Sequence, residues 1–280
     1  MMNCERIVNE NEKYDGIIEI EDDFDLQKIM DSGQAFRIVK LDNGFFRFIT
    51  GEKVLYMRQI SENSYEVKGF DKSWYEYLDL STDYRQIRAD LKDDYLIECA
   101  EVSKGIRILK QDPFETILSF IISQRRNIPS IIKSVNAIAC AYGKKIETEF
   151  ETLYTFPPKE ALAEKTEEDF KDFGLGYRLP YIVDAVEKAN NVLNLEELSC
   201  FSDDELFEKL KSIKGVGDKV ANCICLFAYA RKNNAPVDVW IQRSIDAHYD
   251  GINPFFAYDK NAGVYEQYVF YKERNQASKP

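Results

Sequence analysis

A cation at the start of a helix works against the backbone dipole, and this chain places one there. In "IKGVGDKVANC" (213–223), Lys219 stands two residues beyond Gly217, in the first turn of what reads as a new helix. The same dipole, with partial burial, draws an amine's pKa from about 10.4 toward neutrality and so makes a nucleophile. The bland alternative is a solvated lysine held to a phosphate. Cys223, four residues on, shares a helix face with Lys219; taken alone it reads as core filler. In "APVDVWIQRSI" (235–245), Pro236 breaks the chain and Asp238 can cap the helix that follows. Capping alone would explain Asp238, yet an acid near a nucleophilic amine would also stabilise a cationic transition state and shuttle a proton.

These residues need elements to hold them. Ser202 and Glu205 in "SDDELFEKLKSIKGVG" match a capping box, so one helix runs into Gly215-Val216-Gly217. Asp218 then reads as the N-cap of the next helix, "KVANCICLFAYA". Helix, glycine turn, helix leaves backbone amides exposed at a helix N-terminus, which suits a phosphate. An ordinary αα-corner is the competing reading of the turn by itself. Upstream, "QDPFETILSFIISQRRN" predicts a buried helix, with Asp112 as N-cap, Pro113 at the first helical position and Phe114, Ile117, Leu118, Ile121 and Ile122 on one face.

From about residue 15 to 70 the pattern alternates instead: "GIIEIEDD", "AFRIVKLDNGFFRFIT", "KVLYMRQI" and "SYEVKGF" read as strands. "DNG" between two apolar runs is a hairpin turn, because Asn and Gly tolerate the positive φ it needs. An antiparallel sheet is expected in the first hundred residues, interrupted by a short helix around "DLQKIM", with helices after about residue 84. No repeat stands out, and only the last few residues read as frayed.

At 280 residues with 45% hydrophobic and 13% aromatic composition, the chain has material for a substantial core. No stretch is long and apolar enough for a membrane span, and "MMNCERIVNENEKYDG" has no apolar signal core, which predicts a cytoplasmic protein. Cysteines 4, 99, 140, 200, 223 and 225 have no zinc-like or disulfide-like spacing and only one histidine, His248, is present. No catalytic metal and no cofactor are expected. A net charge of −12 argues by itself against a nucleic-acid partner, but no Asp or Glu lies between Glu115 and Glu147, a window holding Arg125, Arg126, Lys133, Lys144 and Lys145. One face could therefore be basic, or the charges could merely cluster by chance.

The hairpin "KGVGDKVANC" followed by "APVDVW" resembles the helix-hairpin-helix DNA glycosylases, and among them the 8-oxoguanine DNA glycosylase branch in its bacterial form. The resemblance covers most of the chain through "DSGQAFR" (31–37), "QDPFETILSFIISQRRNIPSI" (111–131), "FGLGYR" (173–178) and "AGVYEQYVFY" (262–271). It implies an α+β fold: an N-terminal antiparallel β-sheet domain of TATA-binding-protein type over residues 1–108, then a helical region over 109–280 whose two subdomains hold the lesion pocket. The implied activity is excision of 8-oxoguanine from duplex DNA through a Lys219 Schiff base, with Asp238 stabilising positive charge and β-elimination following.

The resemblance also implies roles residue by residue. The Gly33 carbonyl would accept from the N7–H that oxidation creates on guanine. Cys223 and Phe270 would sandwich the extruded base, and Glu266 stands where the family has a glutamine for the Watson–Crick edge, with Gln267 beside it leaving the register open. Tyr177 and Arg178 match residues that fill or line the gap in the duplex. Arg125, Asn127, Gly215, Val216 and Gly217 fall at DNA-facing positions. Where eukaryotic members carry "NNNIAR", this chain has "RRNIPS" (125–130), so Ser130 replaces the arginine that recognises cytosine and weak opposite-base selectivity is expected. The implied partner is double-stranded DNA containing oxidised guanine, met by a monomer without a membrane, in the nucleoid. Three other readings stay open: a glycosylase of the same fold for another lesion such as alkylated purines, a non-catalytic DNA-binding protein that uses the hairpin only to grip phosphates, and an acidic protein-binding scaffold without salt-dependent DNA affinity.

Overall fold

The computed structural model describes residues 2–3, 13–258 and 260–277; Cys4 and the last three residues, read above as frayed, lie outside them. In chain order the strands are β1 (Met2–Asn3), β2 (Tyr14–Glu19), β3 (Val39–Lys40), β4 (Phe46–Thr50), β5 (Lys53–Gln59), β6 (Ser64–Phe70), β7 (Lys145–Glu147) and β8 (Thr152–Tyr154). The helices are α1 (Leu26–Asp31), α2 (Lys72–Tyr77), α3 (Tyr84–Ala89), α4 (Asp94–Val102), α5 (Pro113–Ser123), α6 (Ile128–Tyr142), α7 (Lys159–Leu162), α8 (Glu167–Phe170), α9 (Leu179–Asn191), α10 (Asp203–Lys211), α11 (Asp218–Tyr229), α12 (Val239–Tyr249) and α13 (Ala262–Ala277). The fold is α+β. Two compact units form: residues 1–48, 54–110 and 230–280, and residues 49–53 with 111–229.

The first unit carries a sheet in the order β1-β2-β6-β5-β4-β3, antiparallel in its β2–β6, β5–β6 and β3–β4 pairs, with β1 parallel to β2. Period-two alternation puts Ile18, Phe46, Phe48, Leu55, Met57, Tyr65 and Val67 into one apolar cluster, where Leu26 and Ile29 of α1 and Trp74 and Tyr77 of α2 join them. Each fully buried side chain of this size contributes about 1.5–3 kcal/mol. The "DNG" turn forms as expected: Gly44 has φ +85° and Asn43 Oδ1 accepts from the Phe45 amide at 3.1 Å.

Beside the sheet, Arg107 is wholly buried yet fully engaged. It donates to the carbonyls of Leu78, Asp23, Asp79 and Thr82 and to Asp22 Oδ2, and lies over the Tyr84 ring at 4.2 Å. This one guanidinium ties together the turns that enter and leave the sheet. Burial alone would raise the Asp22 carboxyl; the Tyr84 amide and Arg107 outweigh it and hold it below its ordinary value.

The second unit is built around α5, whose residues Phe114, Ile117, Leu118, Ile121 and Ile122 are all buried as the helical period predicts. Asp112 accepts from the Glu115 amide at 2.8 Å and caps it. The small β7–β8 hairpin was not foreseen; its three-residue strands are too short to show an alternating pattern. Among the described residues no helix is long and apolar enough to cross a membrane.

Candidate active site

In the second unit, the Ser202–Glu205 capping box starts α10 as expected, and the chain then turns at Gly215, with φ +83°. A Cβ added at Gly215 would lie 2.3 Å from the Tyr181 ring, so no other residue fits without displacing that tyrosine. One bond within the turn and two from neighbouring elements pin it. The Lys214 amide donates to Asp184 at 2.7 Å, the Val216 amide to the Ile213 carbonyl at 3.0 Å, and Gln124 Nε2 to the Gly215 carbonyl at 3.1 Å. Gly217 differs from Gly215: it is exposed, and nothing lies within 4 Å of where its Cβ would be. Open space before an amide at a helix start is what an approaching phosphate requires.

Gly217, rather than the expected Asp218, supplies the first carbonyl of the α11 ladder, accepting from Ala221 at 2.9 Å. Asp218 is the first helical residue and pairs with Lys211 at 2.9 Å. The glycine carbonyl starts the ladder one residue early, which leaves the acid in the first turn, where the dipole favours it. Lys219 is half-buried, its Nζ 5.4 Å from the centre of the Phe120 ring, which stacks on Phe227. Cys223 follows one turn on and is 2% exposed.

The arginines of this unit divide by burial. Arg178 is 6% exposed and donates to the carbonyls of Leu175 and Gln124, with its guanidinium over Tyr177. It holds the segment that carries Gln124, whereas Tyr177, 51% exposed, is the member of the pair that solvent reaches. Arg126 bonds Ser134 Oγ and the carbonyls of Ser130 and Gly174. Arg125 is exposed, in the left-handed region at φ +52°, and pairs with no described residue. Asn127 caps α6 by accepting from the Ser130 amide at 3.0 Å. The expected basic face is smaller than the charge count suggested: Lys144 pairs with Glu52 at 2.6 Å and Lys145 with Glu147. Arg125 and Lys133 stay exposed without such partners among the described residues.

In the first unit, Asp238 caps α12 through Oδ1, which accepts from the amides of Trp240 at 2.8 Å and Ile241 at 3.0 Å. Its Oδ2 receives no hydrogen bond from the described residues. The carboxylate is thus oriented by its helix with one oxygen left over. Gly33, at φ +78°, follows two residues whose carbonyls are both engaged by side chains. Ser32 Oγ donates to the Ile29 carbonyl, Gln267 Nε2 to the Ser32 carbonyl at 2.8 Å, and Arg274 to the Asp31 carbonyl. Gln34, 1% exposed, bonds Ser32 Oγ, the Arg107 carbonyl and the Leu109 amide, each at 2.8 Å. The Gly33 carbonyl accepts from no described residue.

The α13 helix supplies the other predicted base contacts. Phe270 is half-buried with the Arg274 guanidinium 5.7 Å from its ring centre. Glu266 is 4% exposed and lies one turn before Phe270, so these two share a helix face. Gln267 is committed to Ser32. Sequence reasoning did not assign Gln34, Arg107, Gln124 or Arg274 to these sites, and no local signal would have revealed them. Among the described residues no three His, Cys, Asp or Glu cluster as a metal site would need.

The second unit carries a glycine hairpin that presents a lysine, and the first unit a sheet with an open glycine carbonyl; each is what a helix-hairpin-helix DNA glycosylase fold calls for. Residues 17–117 match the family described as 8-oxoguanine DNA glycosylase, N-terminal domain. The chain is similar to the Clostridium acetobutylicum 8-oxoguanine glycosylase/lyase solved in complex with dsDNA containing cytosine opposite 8-oxoG: 34% identity, TM-score 0.85, covering 95% of this chain and 100% of that one. Curated relatives include the N-glycosylase/DNA lyase of Saccharomyces cerevisiae, 36% identical over 50% of this chain and 41% of that protein. A probable N-glycosylase/DNA lyase of Methanothermobacter thermautotrophicus is 31% identical over 64% of each. The chain thus spans about two fifths to two thirds of these curated relatives. It belongs to the 8-oxoguanine DNA glycosylase family.

Proposed function

We propose that this chain is a bifunctional repair glycosylase that extrudes 8-oxoguanine from duplex DNA, excises it and cleaves the resulting abasic strand. The observation that carries the reading is Lys219, an amine in the first turn of α11, half-buried over an aromatic face beyond a glycine hairpin. Extrusion comes first, because C1′ cannot be reached within the stack. The Lys219 amine then attacks C1′ as the base leaves with the glycosidic electron pair. Loss of a proton and opening of the sugar give a Schiff base, and removal of a C2′ proton expels the 3′ phosphate. The Asp238 carboxylate, held by its cap bonds, stabilises the cationic sugar.

The Gly33 carbonyl serves as the lesion reader. It accepts from N7–H of 8-oxoguanine and faces a lone pair on N7 of normal guanine, which leaves a buried acceptor unpaired. Phe270 and Cys223 stack on the base, and the Glu266 carboxylate accepts from its N1–H and N2–H. The hairpin amides, Arg125, Asn127 and Tyr177 meet the DNA, while Arg178 positions the loop beneath. The protein works as a cytoplasmic monomer on chromosomal DNA and needs no cofactor in this scheme.

The test is borohydride trapping on an 8-oxoguanine duplex with the wild type and Lys219→Gln. A covalent adduct formed by the wild type and lost in the variant is expected. Trapping only on methylated purines would transfer the reading to another lesion; DNA binding without any adduct would make it a water-activating or non-catalytic protein.

A further inference from the structure

Two adjacent residues of α13, Glu266 and Gln267, compete in the sequence for one role at the base, and the hydrogen bonds separate them. Gln267 is 3% exposed and its amide donates to the carbonyl of Ser32, itself wholly buried. That carbonyl is one peptide away from Gly33. Arg274, two turns further along α13, donates to the Asp31 carbonyl, and Gln34 grips the other side of the loop through Ser32 Oγ, the Arg107 carbonyl and the Leu109 amide.

The consequence is geometric. Asp31 and Ser32 each have a carbonyl engaged by a side chain of α13, and the peptide between Ser32 and Gly33 is therefore oriented by that helix. A glycine at positive φ has two soft dihedrals and no side chain to fix them, so an open Gly33 carbonyl would otherwise sample several directions. Discrimination between an N–H and a lone pair at one ring position demands a carbonyl that cannot rotate away from the unfavourable partner. From these bonds we infer that Gln267 is a positioning residue for lesion recognition: through Ser32 it fixes the direction of the Gly33 carbonyl and so sets the preference for 8-oxoguanine over guanine. This rests on the proposed reading of Gly33. Gln267 touches neither the sugar nor the phosphate in this scheme, so its effect is confined to reading the base.

That confinement gives the test. The full chain is prepared as wild type, Gln267→Leu, which keeps bulk and loses the donor, and Gln267→Glu, which sets a carboxylate against the carbonyl. Each is assayed for single-turnover excision of 8-oxoguanine, for strand cleavage at a preformed abasic site, and for Tm. In a Lys219→Gln background, each is also assayed for the ratio of affinities for 8-oxoguanine and guanine duplexes. An abasic site has no base to read. Expected for Gln267→Leu is a loss of about tenfold in 8-oxoguanine excision and in the affinity ratio, with abasic cleavage nearly unchanged, and a larger loss for Gln267→Glu. Equal loss of both reactions would assign Gln267 a general structural role and overturn the inference, as would unchanged excision in both variants. If either variant fails to fold, the other decides, and if both unfold the role is structural. A wild type that cleaves abasic DNA but leaves 8-oxoguanine would refute the lesion reading itself, and this inference with it.

Discussion

The hairpin at Gly215 and the loop at Gly33 hold a glycine in place with different numbers of braces. Both place a glycine at positive φ where nucleic acid would be met. At the hairpin two helices converge, and bonds from Asp184 and Gln124, 30 and 91 residues away from the residues they bond, finish the turn. The Gly33 loop adds to its local bonds at Ser32 a set of braces from other elements. Its partners Arg107, Gln267 and Arg274 lie 73, 235 and 243 residues away in sequence from the residues they bond. On the proposed reading, two braces suffice for a turn that grips a phosphate, whereas a carbonyl that reads one ring atom is braced from several directions.

The largest effect that would break this comparison comes from Arg107. Its replacement by Met removes the buried ion pair to Asp22 and the donor to four carbonyls, which should cost about 3–5 kcal/mol, read as a fall in denaturation midpoint. A loss under about 1 kcal/mol would mean the sheet domain does not depend on that brace. Next, the two hairpin glycines should separate. Gly215→Ala meets Tyr181 at 2.3 Å and an unfavourable φ, and should cost about 2 kcal/mol or more of stability. Gly217→Ala faces open space and should leave Tm unchanged while weakening DNA binding. Equal behaviour of the two would dissolve the distinction between a turn glycine and a contact glycine.

Smaller effects sharpen the picture. Arg125→Ala should lower the slope of log affinity against log salt by about one, as loss of a single phosphate contact would. Excision rates opposite the four bases should lie within about tenfold of one another, because a bidentate arginine contact worth about 1–3 kcal/mol is missing where Ser130 stands. A strong cytosine preference would show that another residue reads the partner strand. Finally, Asp22 is held below its ordinary carboxyl value of 3.8, so the stability it contributes is present above that pH and lost as pH falls through the lower folded value. Acid titration of Tm should show this loss, with a shallower slope in Asp22→Asn.

Much of the architecture was legible because it is periodic. Alternation in "KVLYMRQI" and "SYEVKGF" marked β5 and β6, the three-to-four spacing of Phe114 to Ile122 marked α5, and the Ser202–Glu205 box marked the start of α10. Lys219 and Asp238 were legible for a related reason: each sits at a helix start announced by a nearby glycine or proline. The short β7–β8 hairpin and the burial of Arg178 were not, since neither follows from a repeating pattern.

What the sequence determined by itself is therefore the main strands, the helices on either side of the glycine turn, the turn itself and the chemical candidates, because backbone dihedral preferences and side-chain periodicity act over a few residues. The tertiary structure alone decided which of two neighbouring arginines is exposed, that Gln267 is spent on Ser32 while Glu266 stays on the face of Phe270, and that the Gly33 carbonyl is left open among the described residues. Those outcomes depend on hydrogen bonds between residues hundreds of positions apart, and a buried donor or acceptor is settled only when the whole chain has folded around it.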